Sequence, residues 1–169
     1  MLTNDFIDTI KNALAKLKSQ EIHEIGRAAN MLWIGFGKDI AYINFKGKPA
    51  VKSEYALHIQ CNWEIISGNE IILSQEDFYV PRDEESIQLF EVESFGNSKF
   101  DKVAVDFNAT IKTNPTYVND FDVHITGVVE LKLSNDLIIR VYTDGPSERE
   151  SWRLLLPHPD EEHFVVFED

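Results

Sequence analysis

The spacing of apolar residues near the start of the chain predicts an amphipathic helix over residues 4–18. Apolar side chains recur there every three or four positions and share one helical stripe: Phe6, Ile7, Ile10, Leu14 and Leu17. Thr3 or Asn4 can cap its start by accepting a backbone N–H bond. Because lysine and arginine do not dominate the polar face, we expect this helix to pack on a sheet rather than on a membrane.

From about residue 22 the pattern becomes typical of strands. Two apolar runs, residues 31–36 and 40–45, flank Gly37-Lys38-Asp39 and predict a hairpin. Residues 55–65 alternate apolar and polar side chains, which indicates one half-buried strand. Its apolar face includes Cys61, and its polar face carries four residues: His58, Gln60, Asn62 and Glu64.

The second half of the chain predicts a long loop, an ambiguous segment and a series of strands. Residues 76–99 hold seven acidic side chains, Pro81 and Gly96, and are expected to form the loop. Residues 99–113 fit a helix and a strand equally well, and we favour the helix. Further strands are expected at 123–125, 128–133, 137–143, 152–156 and 164–167, with turns at 134–136 and 144–147.

Strands at short intervals without intervening helices pair in antiparallel fashion. The prediction is therefore one α+β domain over residues 1–169, a largely antiparallel sheet packed by the N-terminal helix and by a second helix near 99–113. The last two strands should be neighbours joined by residues 157–162. Trp152 and Leu154 should then face the core, as should Phe164 and Val166, while Arg153 and His163 share the opposite side.

Charge is unevenly distributed along the chain. The net charge is −13, but residues 1–52 hold eight Lys/Arg against five Asp/Glu, so the remainder is strongly acidic. This acidity disfavours nucleic acid and favours a basic protein as partner. The alternative is that the acidity only provides solubility.

Composition indicates which kinds of structural site and which cellular location to expect. Hydrophobic residues make up 43% of the chain, and Cys61 is its one cysteine, which excludes an internal disulfide and a Cys-rich zinc site. The start of the chain has no basic segment followed by an apolar one, so we expect no signal peptide and a reducing, cytoplasmic location. No apolar run is long enough to span a bilayer.

Signatures of catalysis are missing from the sequence. There is no Gly-x-Ser-x-Gly elbow and no glycine-rich phosphate loop, and Cys61 is expected to pack in the core. His158 and His163 flank acidic residues, but their spacing matches no common zinc pattern, and a solvated turn is the favoured interpretation. We therefore predict no catalytic residue, no metal and no cofactor.

Five residues are candidates for binding. His58 and Gln60 lie on the polar face of a half-buried strand, which is either the wet side of the sheet or the floor of a groove. Arg27 and Arg153 stand in apolar surroundings, where an arginine pairs with a carboxylate or holds an anion. His163 is expected beside Arg153.

Several short segments resemble an uncharacterised family of small bacterial cytoplasmic proteins. They are Gly26-Arg27-Ala28-Ala29, Phe36-Gly37, Ala56-Leu57-His58-Ile59-Gln60-Cys61-x-Trp63, Trp152-Arg153-Leu154 and His163-Phe164-Val165-Val166. The resemblance spans most of residues 22–167. It implies a bacterial setting and a shared fold, and no activity.

Two hypotheses of function follow. The first is a non-catalytic protein-binding module, in its concrete form an immunity-type inhibitor that covers a basic partner. The second is a small-ligand binder or enzyme on the polar sheet face, with His58 as acid or base, Gln60 orienting the substrate and Arg27 or Arg153 holding an anion. Because sheet edges invite pairing, a homodimer is a further expectation.

Overall fold

Two five-stranded antiparallel sheets and two helices make up the fold in a computed structural model that describes residues 2–91, 94–143, 149–157 and 163–167. The helices are α1 (Asn4–Leu14) and α2 (Lys99–Thr113). The strands are β1 (Ile22–Ala28), β2 (Met31–Ile43), β3 (Pro49–Ile59), β4 (Asn62–Ser67), β5 (Glu70–Ser74), β6 (Val118–Val123), β7 (Val129–Leu133), β8 (Leu137–Tyr142), β9 (Glu150–Leu155) and β10 (Phe164–Phe167). The predicted α+β class with mainly antiparallel strands is confirmed.

The first sheet has the strand order β1-β2-β3-β9-β10, and the second has the order β5-β4-β8-β7-β6. Side chains of both sheets and both helices join one buried apolar cluster. At its centre Trp63, Phe78 and Phe100 make edge and tilted ring contacts, with centroids 4.7 to 5.8 Å apart. Such contacts add to the stabilisation that burial of the rings provides.

Both predicted helices are present. Thr3 caps α1 by accepting a hydrogen bond from the backbone N–H of Phe6, and a short 3-10 turn at Ala15–Leu17 extends the helix to the predicted length. In α2, Ser98 and Asp101 form a reciprocal capping box. This Ser-x-x-Asp spacing fixes the start of α2, and it resolves the helix–strand ambiguity at 99–113 in favour of the helix.

Two sequence predictions about strands are wrong. There is no turn at 37–39, because β2 continues through a bulge between Phe36 and Asp39 and pairs with β3 along its whole length. The expected single strand over 55–65 is two strands, since the chain leaves the first sheet after Ile59 and enters the second at Asn62. The N–H groups of Gln60 and Cys61 both donate to the carbonyl of Ser151 at this crossing.

The C-terminal strands largely follow the prediction. β9 and β10 are antiparallel neighbours, and Trp152, Leu154 and Val166 are buried. Phe164 packs against the same core while half-buried. β6 lies earlier than expected, at Val118–Val123. The expected turn at 144–147 lies outside the described residues, as does all of the expected connection at 157–162 except Pro157.

The free edge of β1 is covered by α2. The side-chain amide of Asn108 accepts a hydrogen bond from the N–H of Ile25 at 2.9 Å and donates one to the carbonyl of Ile25 at 2.9 Å. These are the two bonds that a neighbouring strand residue would make. Asn108 therefore blocks further strand addition at this edge.

Among the described residues, no helix is both long and apolar enough to cross a membrane.

Candidate functional site

Four of the five predicted site residues come together on the outer face of the first sheet. The pairing of β3 with β9 places His58 directly opposite Arg153. Glu150 receives both bonds of the Arg153 fork, with Nε donating to Oε1 at 2.7 Å and Nη2 donating to Oε2. Gln60 also hydrogen-bonds the Glu150 carboxylate. We refer to His58, Gln60, Glu150, Arg153 and His163 as the polar cluster.

Burial and a neighbouring positive charge favour the neutral form of the His58 imidazole. Burial lowers the pKa of its imidazole below the usual value, and the positive charge of Arg153 lowers it further, against a smaller opposing effect from Glu150. The pKa of Glu150 is lowered mainly by its hydrogen bonds from Arg153. The cluster therefore contains an ion pair next to an imidazole that can both donate and accept a hydrogen bond.

A groove of about 430 Å³ runs beside this cluster. Its floor is formed by small residues of adjacent strands, including Gly35 and Ala56, and its walls include Trp33, His58 and His163. The Trp33 ring lies across Gly26, where an added Cβ would stand 2.3 Å from the ring. Glycine at position 26 therefore lets the indole lie close to the sheet and shape one end of the groove.

His163 enters the same groove from the start of β10. Its Nδ1 accepts a long hydrogen bond, 3.4 Å, from the backbone N–H of Leu156. His158, which the sequence analysis considered together with His163 as a metal ligand, lies outside the described residues. Among the residues that are described, no three His, Cys, Asp or Glu side chains are close enough together to hold a metal ion.

Asn62 and Glu64 do not join His58 and Gln60, because the chain has passed to the second sheet. There the Glu64 carboxylate accepts a hydrogen bond from the Tyr142 hydroxyl at 2.7 Å. Arg140 lies 3.6 Å from the same carboxylate and donates to Glu130 at 2.7 Å. These groups form a cross-strand network that ties β4, β8 and β7 together.

Arg27 lies apart from the polar cluster, on the inner side of the first sheet. Its guanidinium makes a two-bond ion pair with Asp101, at 2.8 and 2.7 Å, and only 1% of its side chain is exposed. It also donates to the carbonyls of Ala29 and Ser94, each at 2.9 Å. The structure therefore places Arg27 in a buried ion pair and not beside His58.

The Arg27–Asp101 pair holds an acidic loop, which we define as residues 79–91 and 94–96. Asp101 Oδ2 accepts bonds from the N–H of Gly96 at 3.0 Å and of Ser98 at 3.1 Å, and Arg27 binds the carbonyl of Ser94. Burial alone would raise the pKa of Asp101, but hydrogen bonds from Arg27 and Ser98 outweigh it, so the pKa is lowered. The base of the loop is thus fixed by a buried ion pair.

Both acidic and apolar side chains are exposed on this loop. The exposed acids are Asp83, Glu84, Glu85 and Glu91. The exposed apolar residues are Tyr79, Val80, Ile87 and Phe95, the last with 82% of its surface in solvent. The predicted loop over 76–99 is shorter in the structure, because 3-10 helices occupy Gln75–Phe78 and Glu84–Leu89. Asp101 was not predicted, although the capping spacing Ser98-x-x-Asp101 could have indicated it.

Comparison with known proteins gave no matching family model, no matching curated protein and no matching solved structure. The resemblance to a bacterial family therefore stays a hypothesis.

Proposed function

We propose that this chain is a non-catalytic protein-binding module whose acidic loop covers a basic partner. One observation carries the proposal: the exposed apolar residues of the loop lie among at least four exposed carboxylates. Apolar side chains provide the buried centre of an interface. The charged rim around it favours a partner of opposite charge. In its concrete form, the partner is a basic toxin and this chain is its immunity-type inhibitor.

The anchoring of the loop supports the same proposal. A loop that is ordered only on binding loses conformational entropy at that moment, whereas a fixed base reduces this loss. Backbone bonds from Arg82 to Asn97 and from Lys99 to Val80, both 2.8 Å, hold its two ends together. The net charge of −13 would also accelerate encounter with a cationic partner, an effect that falls with ionic strength.

The test compares two triple variants of equal net charge. The loop variant carries Asp83→Lys, Glu84→Lys and Glu85→Lys. The control carries Asp8→Lys, Glu70→Lys and Asp106→Lys, all exposed and all outside the loop. Each protein is used to capture partners from a lysate of its own host at low and high salt.

We expect the wild type and the control to retain one basic protein at low salt, and the loop variant to lose it. The interaction is then measured with the purified partner by calorimetry across a salt series. Equal loss in the control would mean that only net charge matters, and no captured protein at low salt would contradict the proposal outright.

A second candidate function rests on the groove beside the polar cluster. A neutral, half-buried His58 next to Trp33 and small floor residues can bind a small ligand with one flat apolar part and one hydrogen-bonding group. A fragment library screened by NMR should yield compounds that shift both the His58 ring and the Trp33 indole signals. Ala56→Leu, which fills the floor, should abolish those shifts, and hits that persist in this variant would bind elsewhere.

A further inference from the structure

A cleft of about 360 Å³ lies between α2 and the second sheet, and we refer to it as the α2 cleft. Val103, Phe107 and Ile111 line it from the helix, at intervals of four residues that place them on one face. Ile72 of β5 and Leu137 of β8 line it from the sheet. Its volume is at the small end of the range typical of ligand sites, roughly 300–1,000 Å³.

The position of α2 explains why this cleft is open. Asn108 bonds the backbone of Ile25, so one side of the helix lies against the edge of β1. Val103 and Thr110 also line the cleft, and helical geometry turns them about 140–160° away from Asn108. Side chains on that side pack on the second sheet only in part, so Val103 and Leu137 stay half-buried.

Two hydroxyl groups in the cleft already donate their protons within the protein. The Thr110 hydroxyl donates to the carbonyl of Asp106 at 2.9 Å, and the Thr116 hydroxyl donates to the carbonyl of Asn114 at 3.0 Å. Thr116 can therefore only accept from Asn135, whose Nδ2 lies 3.4 Å from its hydroxyl oxygen. This arrangement leaves the side-chain carbonyl oxygen of Asn135 for another donor.

Asp106 is the one charged side chain among the described residues that line the cleft. It is exposed, and it forms no ion pair with another residue that the structure describes. The polar groups left for a ligand are thus the Asp106 carboxylate and the Asn135 amide oxygen, which only accept hydrogen bonds, and the Ser67 hydroxyl, which can do both. These groups match a ligand that is positively charged and donates hydrogen bonds.

We propose that the α2 cleft binds a small primary amine with one apolar ring. The ring is buried between Val103 and Leu137, where removal of apolar surface from water stabilises the complex. The ammonium group donates charge-assisted hydrogen bonds to Asp106 and Asn135. An anion would be repelled by Asp106 and would meet no cationic side chain among the described lining residues. The inference does not depend on the acidic loop or on the groove beside the polar cluster, since neither contributes a residue to this cleft.

NMR titrations with three probes of similar shape test the charge preference. Phenethylamine carries the ammonium group, phenethyl alcohol is neutral and hydrocinnamate is anionic. At an ionic strength of about 0.15 M, which screens long-range attraction to the net charge, the amine should shift the methyl signals of Val103 and Leu137. We expect a dissociation constant on the order of 1 mM for so small a probe. The alcohol should bind about fivefold more weakly, and the anion should cause no shift.

Two pairs of variants locate the site. Asp106→Asn should weaken binding of the amine about fivefold and leave the alcohol unchanged. Asp8→Asn removes the same charge at an exposed position of α1 and should change neither. Thr110→Phe fills the cleft from an exposed position and should abolish the shifts caused by both probes. Val105→Phe, at a residue of the same helix that is 66% exposed and does not line the cleft, should leave them unchanged.

Several results would overturn the proposal. They are equal affinities for the three probes, an equal loss in Asp8→Asn, shifts that persist in Thr110→Phe, and no binding of the amine at about 10 mM. The comparison of probes uses the wild type alone, so it stands whether or not a variant folds. All four substituted residues are exposed, and unchanged thermal unfolding would show that the fold of each variant is intact.

Discussion

Removing the charge of Asp101 should destabilise the protein strongly, because a buried guanidinium then loses the carboxylate that accepts both bonds of its fork. In the folded chain the side chains of Arg27 and Asp101 are only 1% and 4% exposed. Breaking a buried ion pair from one side costs about 3–5 kcal/mol. We therefore expect Asp101→Asn to lower the free energy of unfolding by about 3–5 kcal/mol in urea titrations at pH 7.

Replacing Arg27 should cost less stability than removing the charge of Asp101. In Arg27→Met the Asp101 carboxylate still accepts bonds from the N–H of Gly96 and from the N–H and hydroxyl of Ser98. In Asp101→Asn, the buried guanidinium of Arg27 loses the carboxylate that accepts both bonds of its fork. Arg27→Met should thus cost less, on the order of 2–3 kcal/mol. Asp122→Asn, which breaks the exposed pair with Lys132, is the control and should change the free energy of unfolding little, because water screens both charges.

The stabilisation by the Arg27–Asp101 pair should decrease as the pH falls. Because the pKa of Asp101 is lower in the folded chain than in the unfolded chain, the unfolded chain takes up a proton first as the pH falls. The stabilisation that the ionised Asp101 provides is therefore fully present above the ordinary pKa, near 4, and is lost below it. The difference between wild type and Asp101→Asn should be constant from pH 7 to about pH 5 and shrink below about pH 4. A difference that is equally large at pH 3, or no greater at pH 7 than that of Asp122→Asn, would refute the reasoning.

Three further predictions concern separate parts of the molecule. Trp152→Ala should lower the free energy of unfolding by about 3–5 kcal/mol in urea titrations, because the indole is buried in the core. Asn108→Ala should cost about 1–3 kcal/mol and make light scattering rise with concentration, since it exposes the bonding groups of the β1 edge at Ile25. An NMR titration should give His58 a pKa below 6.5, and Arg153→Gln should raise it, because a nearby positive charge is removed. A His58 pKa unchanged in that variant would show that burial alone accounts for the shift.

The local pattern of apolar and polar residues was sufficient to predict those helices and strands whose structure is determined by their own segment of sequence. The stripe from Phe6 to Leu17 specified α1, and the alternation around Trp152 specified which side of β9 is buried. The continuous strand β2 could not be predicted in this way. Gly37-Lys38-Asp39 has the composition of a turn, but β3 pairs on both sides of it and converts the extra residues into a bulge. Pairing with the following strand, β3, decided between two conformations that the local sequence allows equally.

The difference between local pattern and pairing with other segments also explains which features of the candidate site were predicted. Arg153 and His163 were expected on one side because alternate residues of two paired strands share a side, and the groove contains His163. That His58 joins them depends on the register of β3 against β9, which pairs residues 95 positions apart. Arg27 and Asp101 are 74 positions apart, and neither residue alone indicates the pair. A buried arginine could therefore be expected to have a carboxylate partner, but only the packing of α2 on β1 decides which one. That packing gives Arg27 a role in fixing the acidic loop. Under the proposed function, substitution of Arg27 should therefore weaken capture of the basic partner by loosening the loop and not by removing a contact.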